Sequence, residues 1–276
     1  MSASDGSAIV ANTGLPDILK PTERSGSFSI ITICYNAAGT IGRTMDSVAC
    51  QTFTDYEHII VDGSSTDDTI RIVTSAGRPE LRRVQSEPDD GLYDAMNKGI
   101  GLARGKYLIF LNAGDKFHRP DTLEIIARAI VGNDMPGIVY GQTDLVDDEG
   151  RFLAKRHLTA PDNLCLKDFA HGMLVCHQAF VALRRIAPYY NLKYRFSADY
   201  DWCIQCLMHS RKNVYTGEVL VDYLAEGVTT ANRRKSLVER FRIMSLYYGF
   251  WPTAFRHLGF ILRFMSHRKK LKNAHI

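Results

Sequence analysis

Short apolar runs alternate with amphipathic stretches through the first half of the chain. Residues 29–34 (SIITIC) and 58–61 (HIIV) are apolar and of strand length, and each ends in a polar turn. The turns are Tyr35-Asn36-Ala37-Ala38-Gly39 and Asp62-Gly63-Ser64-Ser65-Thr66-Asp67-Asp68. A short strand is predicted over 81–85, and a continuous apolar strand over 107–111 (YLIFL). Helical periodicity covers 40–51, opens again at 69–75, and returns over 94–104. Strands alternating with helices predict an α/β fold with a doubly wound, mostly parallel sheet flanked by helices. Because each early strand ends in a polar turn, polar groups gather along one sheet edge, where open α/β sheets bind ligands.

The second half is less regular. Residues 137–141 read as a strand, Asp147-Asp148-Glu149-Gly150 as a hairpin turn, and 198–208 as a helix opening on Asp199-Tyr200-Asp201. From Ser236 onward the pattern predicts amphipathic helix.

Composition narrows the class. A chain of 276 residues that is 45% hydrophobic and 23% charged suits one large domain, or one domain with an added segment. Residues 1–27 are small, polar and Pro/Gly/Ser-bearing, and are expected to form a flexible tail without a signal peptide. No apolar run has the length of a membrane-spanning helix. Six scattered cysteines, with only Cys203 and Cys206 closely spaced, read as reduced thiols of a cytoplasmic protein rather than a zinc site.

Charge changes the picture more. Residues 231–276 hold eleven Lys/Arg against one acid, Glu239, a balance of +10 in a chain whose net charge is +4. The rest is near −6. The aromatic run Tyr247-Tyr248-Gly249-Phe250-Trp251 and the apolar run over 257–265 share this segment. Basic and aromatic-aliphatic residues together suit peripheral association with an anionic membrane, at the inner face of the cytoplasmic membrane. A solvated basic helix is the plainer reading. Nucleic acid is disfavoured, because the aromatics cluster with aliphatics rather than alternating with Lys/Arg.

Two common nucleotide motifs are missing: Gly39-Thr40-Ile41-Gly42 lacks G-x-G-x-x-G, and no G-x-x-x-x-G-K-[ST] occurs. What remains is a row of acids. Asp62 follows the second strand, where it could accept hydrogen bonds from a ribose hydroxyl or a base N–H; Asp67 reads as a helix cap. Asp94, Asn97 and Lys98 lie on the helix before the strand over 107–111; the helix macrodipole alone could account for Asp94. Asp115, just past that strand, suits a divalent cation holding a diphosphate. Asp199 and Asp201 are candidate general bases, with capping as the alternative. His177, in an apolar setting between Cys176 and Gln178, fits a structural or a site role equally.

Taken together, Ser29-Ile-Ile-Thr-Ile-Cys-Tyr-Asn36, Ser47-Val-Ala-Cys-Gln51, Val61-Asp-Gly-Ser-Ser-Thr-Asp67, Asp90-Gly-Leu-Tyr-Asp-Ala-Met-Asn-Lys-Gly99 and Leu111-Asn-Ala-Gly-Asp115 resemble family 2 glycosyltransferases of the GT-A fold. Cys176-His-Gln178 and Ser197-Ala-Asp-Tyr-Asp-Trp202 extend the likeness to about Leu207. The subgroup it resembles serves bacterial surface-polysaccharide and glycolipid synthesis. The resemblance implies a domain over 28–230, with a nucleotide-sugar half (28–120) and an acceptor half (121–230), followed by basic helices over 231–276. It implies inverting transfer from a nucleotide-diphosphate sugar to a saccharide or lipid-linked acceptor, with Mg²⁺ or Mn²⁺. Tyr35, Asn36, Asp62, Asp94, Asn97, Lys98 and His177 would then serve the donor, Asp115 the metal, and Asp199 the acceptor, with Asp201 in reserve. Two positions depart from the family pattern: Ala113 replaces the first acid of the metal triplet, and Ala198 the Glu before Asp199. A nucleotidyltransferase and an inactive nucleotide-sugar binder are the alternatives. The first would usually carry a basic, Gly-rich loop after the first strand, and here that loop, Tyr35-Asn36-Ala37-Ala38-Gly39, has no basic residue before Arg43.

Overall fold

The structure is a computed structural model that describes residues 27–225 and 233–259. The tail expected over 1–27, apart from its last residue, and the end of the basic segment beyond Gly259 lie outside the described residues. In chain order the elements are β1 (Phe28–Cys34), α1 (Ile41–Ala49), β2 (Tyr56–Asp62), α2 (Thr69–Ser75), β3 (Arg82–Ser86), α3 (Leu92–Leu102), β4 (Tyr107–Phe110) and β5 (Lys116–Phe117). Then come α4 (Thr122–Val131), β6 (Ile138–Val146), β7 (Phe152–Lys155), β8 (Phe180–Leu183), α5 (Ala198–His209), β9 (Asn213–Leu224) and α6 (Arg233–Tyr248).

Among the described residues one nine-stranded sheet runs β3-β2-β1-β4-β8-β6-β9-β5, with β7 paired to β6. Strands β3, β2, β1 and β4 run parallel to one another. Strand β8 joins β4 and β6 antiparallel, β9 runs parallel to β6, and β5 closes the far edge antiparallel. The polarity therefore changes where the sequence becomes irregular. β6 also extends to Val146, well past the Gly141 at which the sequence pattern faded, because β9 pairs along nearly all of it.

Period-two alternation distributes the central strands between two cores. Ile31, Ile33, Leu108 and Phe110 face α3 and α5, packing with Met96, Ile100 and Trp202. Phe28, Ile30, Tyr107 and Ile109 face the other way, with Leu123, Ile126 and Ile130 of α4. Covered on both faces, β1 and β4 are buried throughout, which is why they read as unbroken apolar runs. α3 lies close on the sheet because Gly99 has no side chain: a Cβ there would collide with the Ile31 side chain.

α6 packs against α5 through Ile243 and Met244, which join the first core. Its other apolar residues, Leu237, Val238 and Leu246, face solvent. Apolar side chains thus lie on both its inner and outer sides, rather than in the single stripe its sequence suggested.

Parallel register fixes the working edge. Cys34 pairs with Asp62, and Asp62 with Ser86, so three strands finish in one row.

Candidate active site

The loops after β1 and β2 are fastened to each other. Asn36, in a left-handed conformation (φ 46°), donates its N–H to Ser65 Oγ (2.8 Å) and accepts the Thr66 N–H on Oδ1 (2.9 Å). Asp67 accepts N–H groups from Ala38 and Thr69, so it does hold the start of α2. Tyr35 projects from this platform with 64% of its surface exposed. Asp62 is wholly buried beneath it, accepting the Ser65 N–H (3.0 Å), the Ser65 and Ser86 hydroxyls and the Cys34 thiol. Burial works to raise the Asp62 pKa, but these hydrogen bonds together outweigh it and hold the carboxyl below its ordinary range. Asp62 thus shapes the turn from inside. The acid that lies over the turn is Asp89, which sequence reasoning passed over. A Cβ at Gly63 would lie 2.6 Å from its carboxylate and 3.3 Å from the Tyr35 ring. The Pro88-Asp89-Asp90-Gly91 turn was its only signal.

The polar residues of α3 serve as fasteners. Asn97 spends its amide on the Tyr190 backbone, donating to the carbonyl (3.0 Å) and accepting the N–H (2.6 Å). Lys98 pairs with Glu87 (2.9 Å) and Asp94 (3.5 Å) and donates to the Pro88 carbonyl (2.7 Å). Asp94 accepts the Asp90 N–H (3.2 Å). These three residues hold the loop from Glu87 to Gly91 and the segment at Tyr190.

Asp115 stands past β4, after Gly114 at φ 99°. It is 3% exposed; Oδ1 accepts the Leu224 N–H (3.0 Å) and Oδ2 the Gln178 amide (2.9 Å). Burial pushes its carboxyl up to about 7, against the pull of these hydrogen bonds and of the Arg43 charge. Within the Cys-His-Gln run it is therefore Gln178 that meets the acid. His177 turns into an aromatic cluster with Phe110, Tyr190 and Trp202 and shares a hydrogen bond with the Tyr190 hydroxyl (3.0 Å). Burial lowers its pKa and keeps the ring neutral.

The two acids of α5 face different ways. Asp199 Oδ1 accepts the Tyr200 N–H (2.9 Å) and the Tyr93 hydroxyl (3.1 Å). Asp201 is buried, with Oδ2 on Gln205 (2.7 Å) and Oδ1 on the Tyr247 hydroxyl of α6 (2.8 Å). Tyr223, near the end of β9, precedes Leu224, whose N–H Asp115 accepts. Burial first, then the neighbouring Cys176, Asp115 and Asp199, push its hydroxyl upward. Contacts therefore run from Asp115 through Gln178, its neighbour His177, Tyr190 and Tyr93 to Asp199, while Asp201 is bonded to Gln205 and Tyr247 instead.

A family model described as glycosyl transferase family 2 matches residues 29–188. This chain belongs to that family. It is 37% identical over 185 residues to a PGL/p-HBAD biosynthesis glycosyltransferase of Mycobacterium tuberculosis, covering 65% of this chain and 69% of that protein. It is 29% identical over 209 residues to the amylovoran biosynthesis glycosyltransferase AmsB of Erwinia amylovora, covering 71% and 69%. Its fold matches S. aureus TarS in complex with UDP-GlcNAc at a TM-score of 0.67 and 18% identity, over 80% of this chain and 66% of that one.

Glycosyltransferases of this fold typically use a divalent metal, and the family 2 residues at this site fit one. Asp115 is a buried carboxyl pushed up by desolvation, which a cation beside it would hold ionised. One carboxylate, completed by diphosphate oxygens and waters, is a normal Mg²⁺ donor set, and Ala113 adds no ligand. Among the described residues two clusters elsewhere also have ligand spacing, His118–Asp144–Asp222 and Asp147–Asp148–Glu149. In the first, Asp222 is already paired with Lys116 (2.9 Å) and His118 (2.6 Å).

Proposed function

We propose that this glycosyltransferase moves a sugar, with inversion, from a nucleotide-diphosphate sugar to a hydroxyl of a saccharide or lipid-linked acceptor, in cell-surface polysaccharide or glycolipid synthesis. The observation that carries the reading is the run of contacts that joins Asp115 of the donor half to Asp199 at the start of α5: Gln178 on Asp115, its neighbour His177 on Tyr190, the Tyr190 ring on Tyr93, and the Tyr93 hydroxyl on Asp199. The relatives named for PGL/p-HBAD and amylovoran biosynthesis support the acceptor class, and the UDP-GlcNAc complex of TarS supports the donor class.

In this mechanism the exposed Tyr35 ring and the Asn36 turn receive the nucleoside, with Asp62 keeping the turn in shape beneath them. Asp115 would hold Mg²⁺ or Mn²⁺ on the diphosphate, and that cation would supply charge neutralisation to the departing group. Asp199 takes the proton of the acceptor hydroxyl as its oxygen bonds to the anomeric carbon. The bond from that carbon to the phosphate oxygen breaks on the opposite face, and its electron pair leaves with the nucleoside diphosphate. Asp201, committed to Gln205 and Tyr247, takes no part in this.

The outer surface of the C-terminal helices suits peripheral binding to an anionic membrane. Leu246, Phe250, Trp251, Phe255 and Leu258 are exposed there, in the segment of +10 charge. No helix among the described residues is long and apolar enough to cross a membrane.

Incubation with a panel of nucleotide-diphosphate sugars and a lipid-linked saccharide acceptor, read by NMR of the new linkage, tests the reaction. Transfer with inverted anomeric configuration is expected. Retained configuration, or release of a nucleotidyl product, would overturn it.

A further inference from the structure

The carboxylate of Asp199 is not left to rotate. Its Oδ1 accepts two donors, the Tyr200 N–H and the Tyr93 hydroxyl, while no hydrogen bond from the described residues reaches Oδ2. Tyr200 is a neighbour in sequence, but Tyr93 comes from α3, in the other half of the domain.

Tyr93 is itself held firmly. It is 6% exposed and stacks on Tyr190 (5.5 Å between centroids, 25°), which stacks on Trp202 (5.2 Å, 12°). Trp202 lies on α5, three residues beyond Asp199, so both are on one side of that helix. Tyr190 is pinned at its hydroxyl by His177 and at its backbone by Asn97, one turn along α3 from Tyr93. An aromatic column therefore joins the two helices, and Tyr93 ends it with a hydroxyl on the acid. A carboxylate only accepts, so Tyr93 is the donor.

We infer that Tyr93 is a positioning residue for the base: with the Tyr200 N–H it occupies Asp199 Oδ1, and so presents Oδ2 to the acceptor hydroxyl. The inference rests on the reading of Asp199 as the base. It gives a reason for a tyrosine in the Asp90–Gly99 run that the donor does not supply. The same role gives Asn97 and His177 a part in the site: they fix the Tyr190 ring on which Tyr93 rests.

Tyr93→Phe removes the hydroxyl and keeps the ring stack. Wild type, Tyr93→Phe and Asp199→Asn are compared by steady-state kinetics with varied donor and acceptor, and by donor-induced thermal shift. The expected result for Tyr93→Phe is a fall in kcat of about tenfold to a hundredfold, the loss of one hydrogen bond to a charged group. Its donor KM and donor-induced shift are expected to stay at the wild-type values. Wild-type kcat in Tyr93→Phe, with Asp199→Asn inactive, overturns the role of Tyr93 and leaves the base intact. A rise in donor KM or a lost thermal shift in Tyr93→Phe also overturns it, since the hydroxyl would then serve donor binding or folding. Wild-type turnover in Asp199→Asn overturns the base itself, and this inference with it.

Discussion

Histidine 58 shows how much chemistry one buried side chain carries. The Thr32 hydroxyl gives its single hydrogen to the Leu111 carbonyl (2.7 Å), so the contact with His58 (2.9 Å) has Nε2–H donating to Thr32. Burial first, then Arg82, lowers the His58 pKa from 6.5 to about 3. The folded pKa lies below the unfolded one, so the contribution to stability is complete above about 6.5 and is lost as pH falls toward 3. His58→Gln, whose amide can donate to Thr32, is expected to flatten that acid limb in melts taken between these pH values; an unchanged limb would contradict it. Gly99→Ala is expected to destabilise by about 1–3 kcal/mol in urea unfolding, because its Cβ meets Ile31 where the helix closes on the sheet. At this scale the acids were legible in the sequence, since Asp62, Asp115 and Asp199 each follow a strand end or open a helix. Their partners were not. Gln178 meets Asp115 and Tyr93 meets Asp199 across separations of 63 and 106 residues, and no local pattern records such pairings. Asn97 and His177, expected near the donor from the family resemblance, each hydrogen-bond Tyr190, a partner that their motifs do not record.

Among the elements, α5 and α6 depend on each other. Glu239, the single acid of the basic segment, accepts the N–H groups of Arg195 (2.9 Å) and Phe196 (2.8 Å), just before α5. Ser236 bonds Ser197 (2.9 Å), and Tyr247 bonds Asp201 (2.8 Å). The helix that carries Asp199 is thus held at its entry by the C-terminal helix. Glu239→Ala would leave two backbone donors without their acceptor, at a cost of about 1–3 kcal/mol for each one left buried. The expected outcome is a lower melting temperature and lower kcat, with vesicle binding retained; a variant matching wild type in both would show the clamp to be incidental. Elements with one strong period were readable: α2 matches its expected bounds, and β1, β2 and β4 differ by a residue or two. β6 and β9 were harder, because a long parallel pair with register shifts next to a hairpin shows no clean alternation.

For the molecule as a whole, charge and apolar exposure point the same way. A +10 segment carries exposed Phe250, Trp251 and Phe255, against a remainder near −6. Co-sedimentation with anionic vesicles is expected, weakening with salt, and Trp251→Ala with Phe255→Ala is expected to reduce it several-fold. Equal binding to zwitterionic vesicles would contradict the electrostatic part. The same architecture gathers the strand ends into one edge, and the contacts of Gln178, His177, Tyr190 and Tyr93 run from Asp115 to Asp199 across the two halves of the domain. The most direct test is to replace the base alone and measure binding and transfer side by side. Asp199→Asn is expected to keep the donor-induced thermal shift with Mn²⁺ while transfer falls at least about a hundredfold; turnover at the wild-type rate would contradict the mechanism.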